Sequence, residues 1–239
     1  MEAKPPLPPA LPEGTPEYVA ICLQALATSR LGDKISLGGA IGLMYYFTFR
    51  ATHDIDAWWL PSTTSEEQRQ VVALLEETLR PFGRVQTRSW GDVTSVELES
   101  GGKTVFSFQI ARRSAQLEPL RPSPWGGVWL DSFDDLVASK MVALVERGAP
   151  RDFLDIFRIC QERLISVTRC WRLWQQRQEL AGSDVDLKRA RLAVQTHLAR
   201  IERHRPLKAI TDPISRAETE RLRAWFKTGF IDAAEEQQS

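Results

Sequence analysis

Apolar residues recur along this chain in two rhythms, one every three to four positions and one every second position. Between Thr15 and Gly32 the first rhythm predicts a helix that buries Ile21, Cys22, Leu23 and Leu26. Thr15 offers a cap and Pro16 a first helical position. A short strand is expected over Lys34–Leu37, after which Gly38-Gly39 turns the chain into a second helix ending near Phe49. His53–Leu60 alternates as a strand and is closed by Pro61. Ser62–Arg80 returns to the helical period, with a stripe of Val71, Val72, Leu74, Leu75 and Leu79. Three strands are expected next, at Gly83–Trp90, Val93–Glu99 and Lys103–Ala111. The last two are joined by the hairpin signal Ser100-Gly101-Gly102. Gln116–Trp129, rich in proline and glycine, reads as a loop closing on a short strand. From Ser132 the pattern is helical almost to the end.

This order divides the chain into a proline-rich, disordered lead over residues 1–14, an α/β core over 15–130 and a helical domain over 131–239. The fold class is therefore α+β, a mixed sheet with flanking helices followed by a C-terminal helical domain. The 239 residues, 43% hydrophobic, suffice for that architecture. Lysine plus arginine equals aspartate plus glutamate, 31 against 31, so no overall basic excess points to nucleic acid. Cys22, Cys160 and Cys170 are odd in number and lack C-x-x-C spacing, which argues against a disulfide framework or a zinc site. With no signal-peptide pattern and no long apolar run, the expected location is the cytoplasm, with no membrane partner.

The chemistry concentrates in the segment from Ser36 to Asp56. Residues i and i+2 of a strand share a face, so Asp54 and Asp56 stand side by side with Ile55 turned into the core. Two adjacent carboxylates repel, and a divalent cation removes the conflict. Magnesium suits such a pair, since it takes oxygen ligands and joins a few carboxylates to substrate phosphates. Manganese would serve in the same way. Gly38 and Gly39, lacking Cβ atoms, let the backbone approach a phosphate closely. Ser36 and Thr52 offer hydroxyls, and Arg50 offers a clamp for phosphate oxygens or a partner for an aspartate. Each piece has an ordinary reading: an Asp-x-Asp pair is usually surface or turn, and a Gly-Gly pair is usually just a turn. Their order, with strand, helix and strand around them, makes the combination specific.

The stretch LGGAIGLMYYFTFRATHDIDAWW resembles the signature of the DNA polymerase β-like minimal nucleotidyltransferases, and more closely their AbiEii/AbiGii-type toxin branch. The branch pattern of Gly-Gly, a helix and Arg-x-Ser/Thr-x-Asp-Ile-Asp is met by Gly38, Gly39, Arg50, Thr52, Asp54 and Asp56. A second block resembles the branch as well: a helix bearing Lys140, a turn at Gly148-Ala149-Pro150, and Arg151-Asp152-x-x-Asp155 opening the next helix. The resemblance covers roughly residues 15 to 160 and implies a polymerase β-like core. It implies that Lys140 binds the triphosphate or assists acid–base chemistry, and that Asp155 is catalytic or positions the lysine. It further implies a nucleoside triphosphate substrate and an acceptor hydroxyl on a tRNA 3′ end or a protein. A toxin held by a cognate antitoxin, in a toxin–antitoxin or phage-defence pair, would follow. On this reading Lys140→Ala abolishes transfer and leaves the fold intact. Without the resemblance, the second block reads as a helical hairpin with acids at a helix N-terminus.

One departure stands out. Where many polymerase β-like enzymes carry a third carboxylate, Val105-Phe106-Ser107-Phe108-Gln109-Ile110 offers Gln109, with Glu97 and Glu99 as substitutes from the neighbouring strand. The alternatives kept open are therefore an enzyme that modifies a small molecule and a non-catalytic nucleotide-binding or interaction protein. In the helical half, Arg163, Arg169, Arg172 and Arg177 interleave with Trp171 and Trp174, a composition suited to RNA. Amphipathic helices with core tryptophans account for it equally. His53 is read as structural, and Asp232–Glu236 as a frayed tail.

Overall fold

The computed structural model describes Leu11 and residues 15–47, 50, 52–125 and 127–231. The proline-rich lead and the acidic C-terminal stretch lie outside the described residues, apart from Leu11, which packs against the core. The described chain forms two compact units. One runs through Ser114 and includes Glu118–Leu136; the other holds Ala115–Leu117 and the chain from Val137 onward. Among the described residues, no helix is long and apolar enough to cross a membrane.

The first unit begins with α1 (Glu17–Ser29), β1 (Ile35–Leu37), α2 (Gly39–Met44), β2 (Asp54–Trp59) and α3 (Ser65–Leu79). It continues with β3 (Arg84–Trp90), β4 (Val93–Ser100), β5 (Lys103–Arg112), β6 (Arg121–Pro122) and β7 (Trp129–Leu130). These strands make one mixed sheet in the order β3-β4-β5-β2-β1-β7-β6. β2 lies parallel to β5 and antiparallel to β1, so the strand carrying Asp54 and Asp56 is central. Alternation sends Ile55, Ala57, Trp59, Phe106, Phe108 and Ile110 into one core with the buried faces of α1 and α3. The opposite face carries the polar partners of that alternation. The sheet therefore separates an apolar core from a polar face, and β2 displays its two acids on the latter.

Local signals account for most element ends. Thr64 caps α3 in a reciprocal box with Glu67. Gly101 and Gly102, both at positive φ (58° and 75°), make the β4–β5 hairpin turn. Two boundaries differ from the sequence reading. Pro16 rather than Thr15 precedes α1, without a side-chain cap, and the helix stops at Ser29 where Arg30 turns left-handed. More consequentially, α2 ends at Met44 instead of near Phe49. Tertiary partners take the chain there: the Tyr46 hydroxyl donates to the Asp131 carbonyl at 3.3 Å, and its ring packs on Phe133 with centroids 5.1 Å apart.

The second unit is helical. The division between the units falls within α4 (Phe133–Glu146), and α5 (Pro150–Gln161), α6 (Val167–Leu180), α7 (Leu187–His204) and α8 (Pro213–Trp225) follow. A π-helical turn over Phe226–Phe230 ends the described helices. Its core is aromatic: Phe153 meets Phe226, and Trp171 meets both Trp174 and Phe230 edge to face or tilted. The Trp171 indole donates to the Phe230 carbonyl at 3.1 Å. Trp171 and Trp174 are each only 2% exposed, so they are core residues and not a base-stacking surface. Cys160 and Cys170, on successive helices, bring their sulfurs within 3.7 Å as free thiols, a proximity that their spacing does not announce.

Candidate functional site

The acidic pair stands where the alternation of β2 puts it. Asp54 and Asp56 are partly exposed, while Ile55 and Ala57 between and beyond them are buried. The parallel pairing of β2 with β5 sets Ser107 beside Asp54 and Gln109 beside Asp56. Ser107, 5% exposed, donates its hydroxyl to Asp54 Oδ1 at 2.7 Å. Gln109 Nε2 in turn donates to Ser107 Oγ at 3.3 Å. Asp56 makes no hydrogen bond or ion pair to another described side chain and instead lies against the glycine bend.

That bend is built for close approach. The Gly38 N–H donates to the Asp56 carbonyl at 2.8 Å, which ties the end of β1 to β2. Gly39 sits at φ 57°, a conformation that residues with a Cβ avoid. A Cβ placed on Gly39 would lie 2.1 Å from Asp56 Oδ2, and one on Gly38 would lie 2.6 Å from the Trp58 indole nitrogen. Both glycines are thus required sterically, and the second brings backbone directly onto a carboxylate.

Beneath the bend is a buried ionic network that the sequence does not reveal. Arg113, with a side chain 9% exposed, donates to Ser36 Oγ at 2.8 Å and to Asp131 Oδ1. Its other terminal nitrogen lies 3.6 Å from Asp135, and its guanidinium sits 5.4 Å from the Trp58 ring centroid. Burial pushes the Asp131 carboxyl above its usual range, against the opposing pull of Arg113 and Ser36. Asp131 Oδ2 has no hydrogen-bond partner and lies 3.5 Å from where a Gly38 Cβ would be. The only signal for Arg113 in the sequence is a second arginine after a strand, which is too common to be informative.

The remaining predicted residues separate into two groups. Ser36 is fully buried, its hydroxyl engaged by Arg113. Thr52, 5% exposed, closes the start of β2: its hydroxyl accepts the Asp54 N–H at 3.3 Å. Both shape the site from within and expose little or nothing to a phosphate. Arg50 is half-buried just before β2, and His53 is exposed.

In the second unit, Lys140 Nζ pairs with Asp155 Oδ2 at 2.7 Å, and Asp155 is fully buried. Asp152, on the same helix face, has a different task. Its carboxylate accepts a bidentate pair from Arg147 at 2.9 and 2.8 Å and the Ala149 N–H at 2.9 Å, closing the turn into α5. Burial pushes Asp152 upward, but Arg147 and the Ala149 N–H outweigh it and hold the carboxyl below its usual range. Gly148, at φ 51°, completes the turn, and a Cβ there would meet the His197 ring at 2.4 Å.

Among the described residues, no three metal-ligating side chains gather in one place. The pair of Asp54 and Asp56 offers hard oxygen donors, the type a magnesium or manganese ion takes when phosphate oxygens and water complete its shell.

An acidic pair on a central strand, pressed against a Gly-Gly bend at the mouth of a mixed sheet, belongs to the class of nucleotidyltransferases. The sequence model of the family described as "Nucleotidyl transferase AbiEii toxin, Type IV TA system" matches residues 21–232, and the chain belongs to that family of nucleotidyltransferase toxins. The match extends beyond the stretch that the motifs alone suggested and takes in the helical unit. A solved structure from H. pylori, described as a "putative nucleotidyltransferase", aligns over 91% of this chain and 95% of that chain, at 13% identity and a TM-score of 0.49. No curated protein matches the chain.

Proposed function

We propose that the protein transfers a nucleotidyl group from a nucleoside triphosphate to an acceptor hydroxyl, the oxygen–α-phosphorus bond forming as pyrophosphate leaves and the hydroxyl proton passes to solvent, with Asp54 and Asp56 as the residues that would hold a magnesium-bound triphosphate. The observation that carries this reading is the contact between the Gly39 backbone and the Asp56 carboxylate, where a Cβ would lie 2.1 Å from Oδ2. The bend sets backbone, with no side chain between, directly against a carboxylate that no described side chain pairs, so a phosphate joined to Asp56 through a cation would lie beside the glycine backbone. The metal's contribution, when bound, is to neutralise phosphate charge and orient the group transferred.

The chain's own residues supply the rest. Asp54 is held by Ser107, so its carboxylate presents a fixed direction to the cation. Gly38 and Gly39 let the triphosphate approach the backbone, with Ser36 and Thr52 shaping the strand ends around them. Arg50 serves as a clamp on phosphate oxygens. Lys140, positioned by Asp155, is the second cation assigned to the reaction, on the strength of the family resemblance. Catalysis of this kind relies on positioning and charge complementarity rather than a covalent intermediate. The acceptor proposed is a tRNA 3′ end or a protein side chain, and the cellular role a toxin restrained by its cognate antitoxin.

Incubation with each α-³²P-labelled nucleoside triphosphate, total RNA and cell lysate tests the reading. Label on RNA or protein with the wild type, and none with Asp56→Ala, is the expected result. Label on a small molecule would reassign the acceptor. Equal labelling by Asp56→Ala would remove the proposed site.

A further inference from the structure

We infer that the site of this chain takes a single divalent cation, the one that arrives with the triphosphate, and that Gln109 and Ser107 are what limit it to one. The inference rests on the reading of Asp54 and Asp56 given above and deepens it. Two ions about 4 Å apart repel strongly, and a carboxylate shared between or beside them offsets that repulsion. The sheet position that would supply such a group is the one next to Asp56 on β5, and it holds the neutral amide of Gln109.

The amide is engaged in a directional chain. Gln109 Nε2 donates to Ser107 Oγ at 3.3 Å, and Ser107 Oγ donates to Asp54 Oδ1 at 2.7 Å. Because the amide is a donor at this link, the single proton of the serine hydroxyl is free to serve Asp54. A carboxylate at position 109 would compete for that proton and release Asp54. The chain therefore does two things at once. It removes a negative charge from the site, and it satisfies one oxygen of Asp54, leaving fewer lone pairs for a second ion.

Among the described residues, the other acid near the bend, Asp131, is fully buried and committed to Arg113, and the acids of β4 are engaged by arginines. Glu97 is the next acid on this face, opposite Ser107 on β4, two strand spacings or ~10 Å from the Asp54 backbone. It accepts a hydrogen bond from Ser95 Oγ at 3.3 Å and pairs with Arg88 at 3.5 Å. Glu99, on the same strand, lies 3.9 Å from Arg84.

Manganese as a paramagnetic probe tests this on the full chain, with a non-hydrolysable α,β-methylene nucleoside triphosphate. The electron paramagnetic resonance spectrum of the wild type is expected to show an uncoupled ion, one per bound nucleotide. Gln109→Glu, or Gln109→Asp should the longer acid disturb folding, is expected to recruit a second ion and give the spectrum of a coupled pair. Ser107→Ala, which frees that oxygen of Asp54, should raise the occupancy of a second ion at high manganese roughly ten-fold, while Ser107→Thr, which keeps the hydroxyl, should hold the site to one ion. A coupled pair in the wild type would overturn the inference. Neither acid recruiting a second ion would overturn the part given to Gln109, and an unchanged single-ion spectrum for Ser107→Ala at high manganese the part given to Ser107. Wild-type protein that binds no manganese would instead remove the acidic pair as a site, so the two failures read differently.

Discussion

The two acidic centres of this protein are handled in opposite ways. On β2, Asp54 and Asp56 remain partly exposed, one steadied by a serine hydroxyl and the other lying against glycine backbone. On α5, Asp155 and Asp152 are fully buried, each matched to a cation, Lys140 at 2.7 Å and Arg147 at 2.8 Å. Partly exposed acids keep much of their hydration and can stay charged without a buried counter-charge. Buried acids must carry their neutralising charge with them, since an unpaired buried charge costs several kcal/mol. The contrast teaches where a mutation should be felt. Removing an acid of the first kind removes chemistry and little stability. Removing a partner of the second kind strands a charge and loosens the fold.

The contrast breaks most visibly at Asp56. Asp56→Asn is expected to lower transfer by about 10³-fold while leaving the melting temperature unchanged or slightly raised, since a repulsive neighbour of Asp54 is lost. A drop in melting temperature comparable to that of a core mutant would erase the distinction between the two centres. Gly39→Ala comes next. The left-handed conformation costs a side chain about 1–2 kcal/mol, and the new Cβ must displace the Asp56 carboxylate. Transfer should fall roughly hundred-fold, with only a modest loss in chemical denaturation midpoint.

Lys140 sharpens the comparison from the other side. Lys140→Met leaves Asp155 buried without its lysine and should destabilise the protein by about 3–5 kcal/mol in urea titration. The sequence alone suggests that Lys140→Ala spares the fold; the buried pair adds a stability loss to any loss of activity. The double variant Lys140→Met/Asp155→Leu should recover much of that loss without recovering transfer. If it regained activity, the pair would be structural only.

The smallest effect expected is at Arg147, whose side chain is 53% exposed and correspondingly screened. The folded-state value of Asp152 lies below its unfolded value, near 3.9. Its contribution is therefore complete above the unfolded value and is lost as pH falls through the folded one. Arg147→Ala reduces that lowering, so acid unfolding followed by circular dichroism should begin at a higher pH than in the wild type. An unchanged acid transition would show that the Ala149 N–H alone holds Asp152.

The elements that carry the site were legible because their signals are local. Asp54 and Asp56 declare a strand by alternating with Ile55 and Ala57, and Gly38-Gly39 marks the bend that meets them. The glutamine in place of a third acid was visible through the family resemblance, and its place beside Asp56 came only with the pairing of β2 and β5. Other features were closed to such reasoning. Ser107 reaches Asp54 across 53 residues of chain, and Arg113 reaches Ser36 across 77. The helical spacing of Asp152 and Asp155 shows that they share a face, but not that one closes a turn while the other holds a lysine. Trp171 and Trp174 among arginines fit an RNA-binding surface as well as a core, and only packing distinguishes them.

The order of residues by itself determined the period of each element, the place of the glycine bend and the face on which the two acids stand, because these depend on neighbours a few bonds away. Tertiary structure alone decided which strand lies beside β2, where α2 stops, and which carboxylates are buried with a cation and which stay partly exposed. Those choices depend on groups far apart in sequence meeting at hydrogen-bond distance, and on the cost of burying charge, neither of which is written into any local stretch of chain.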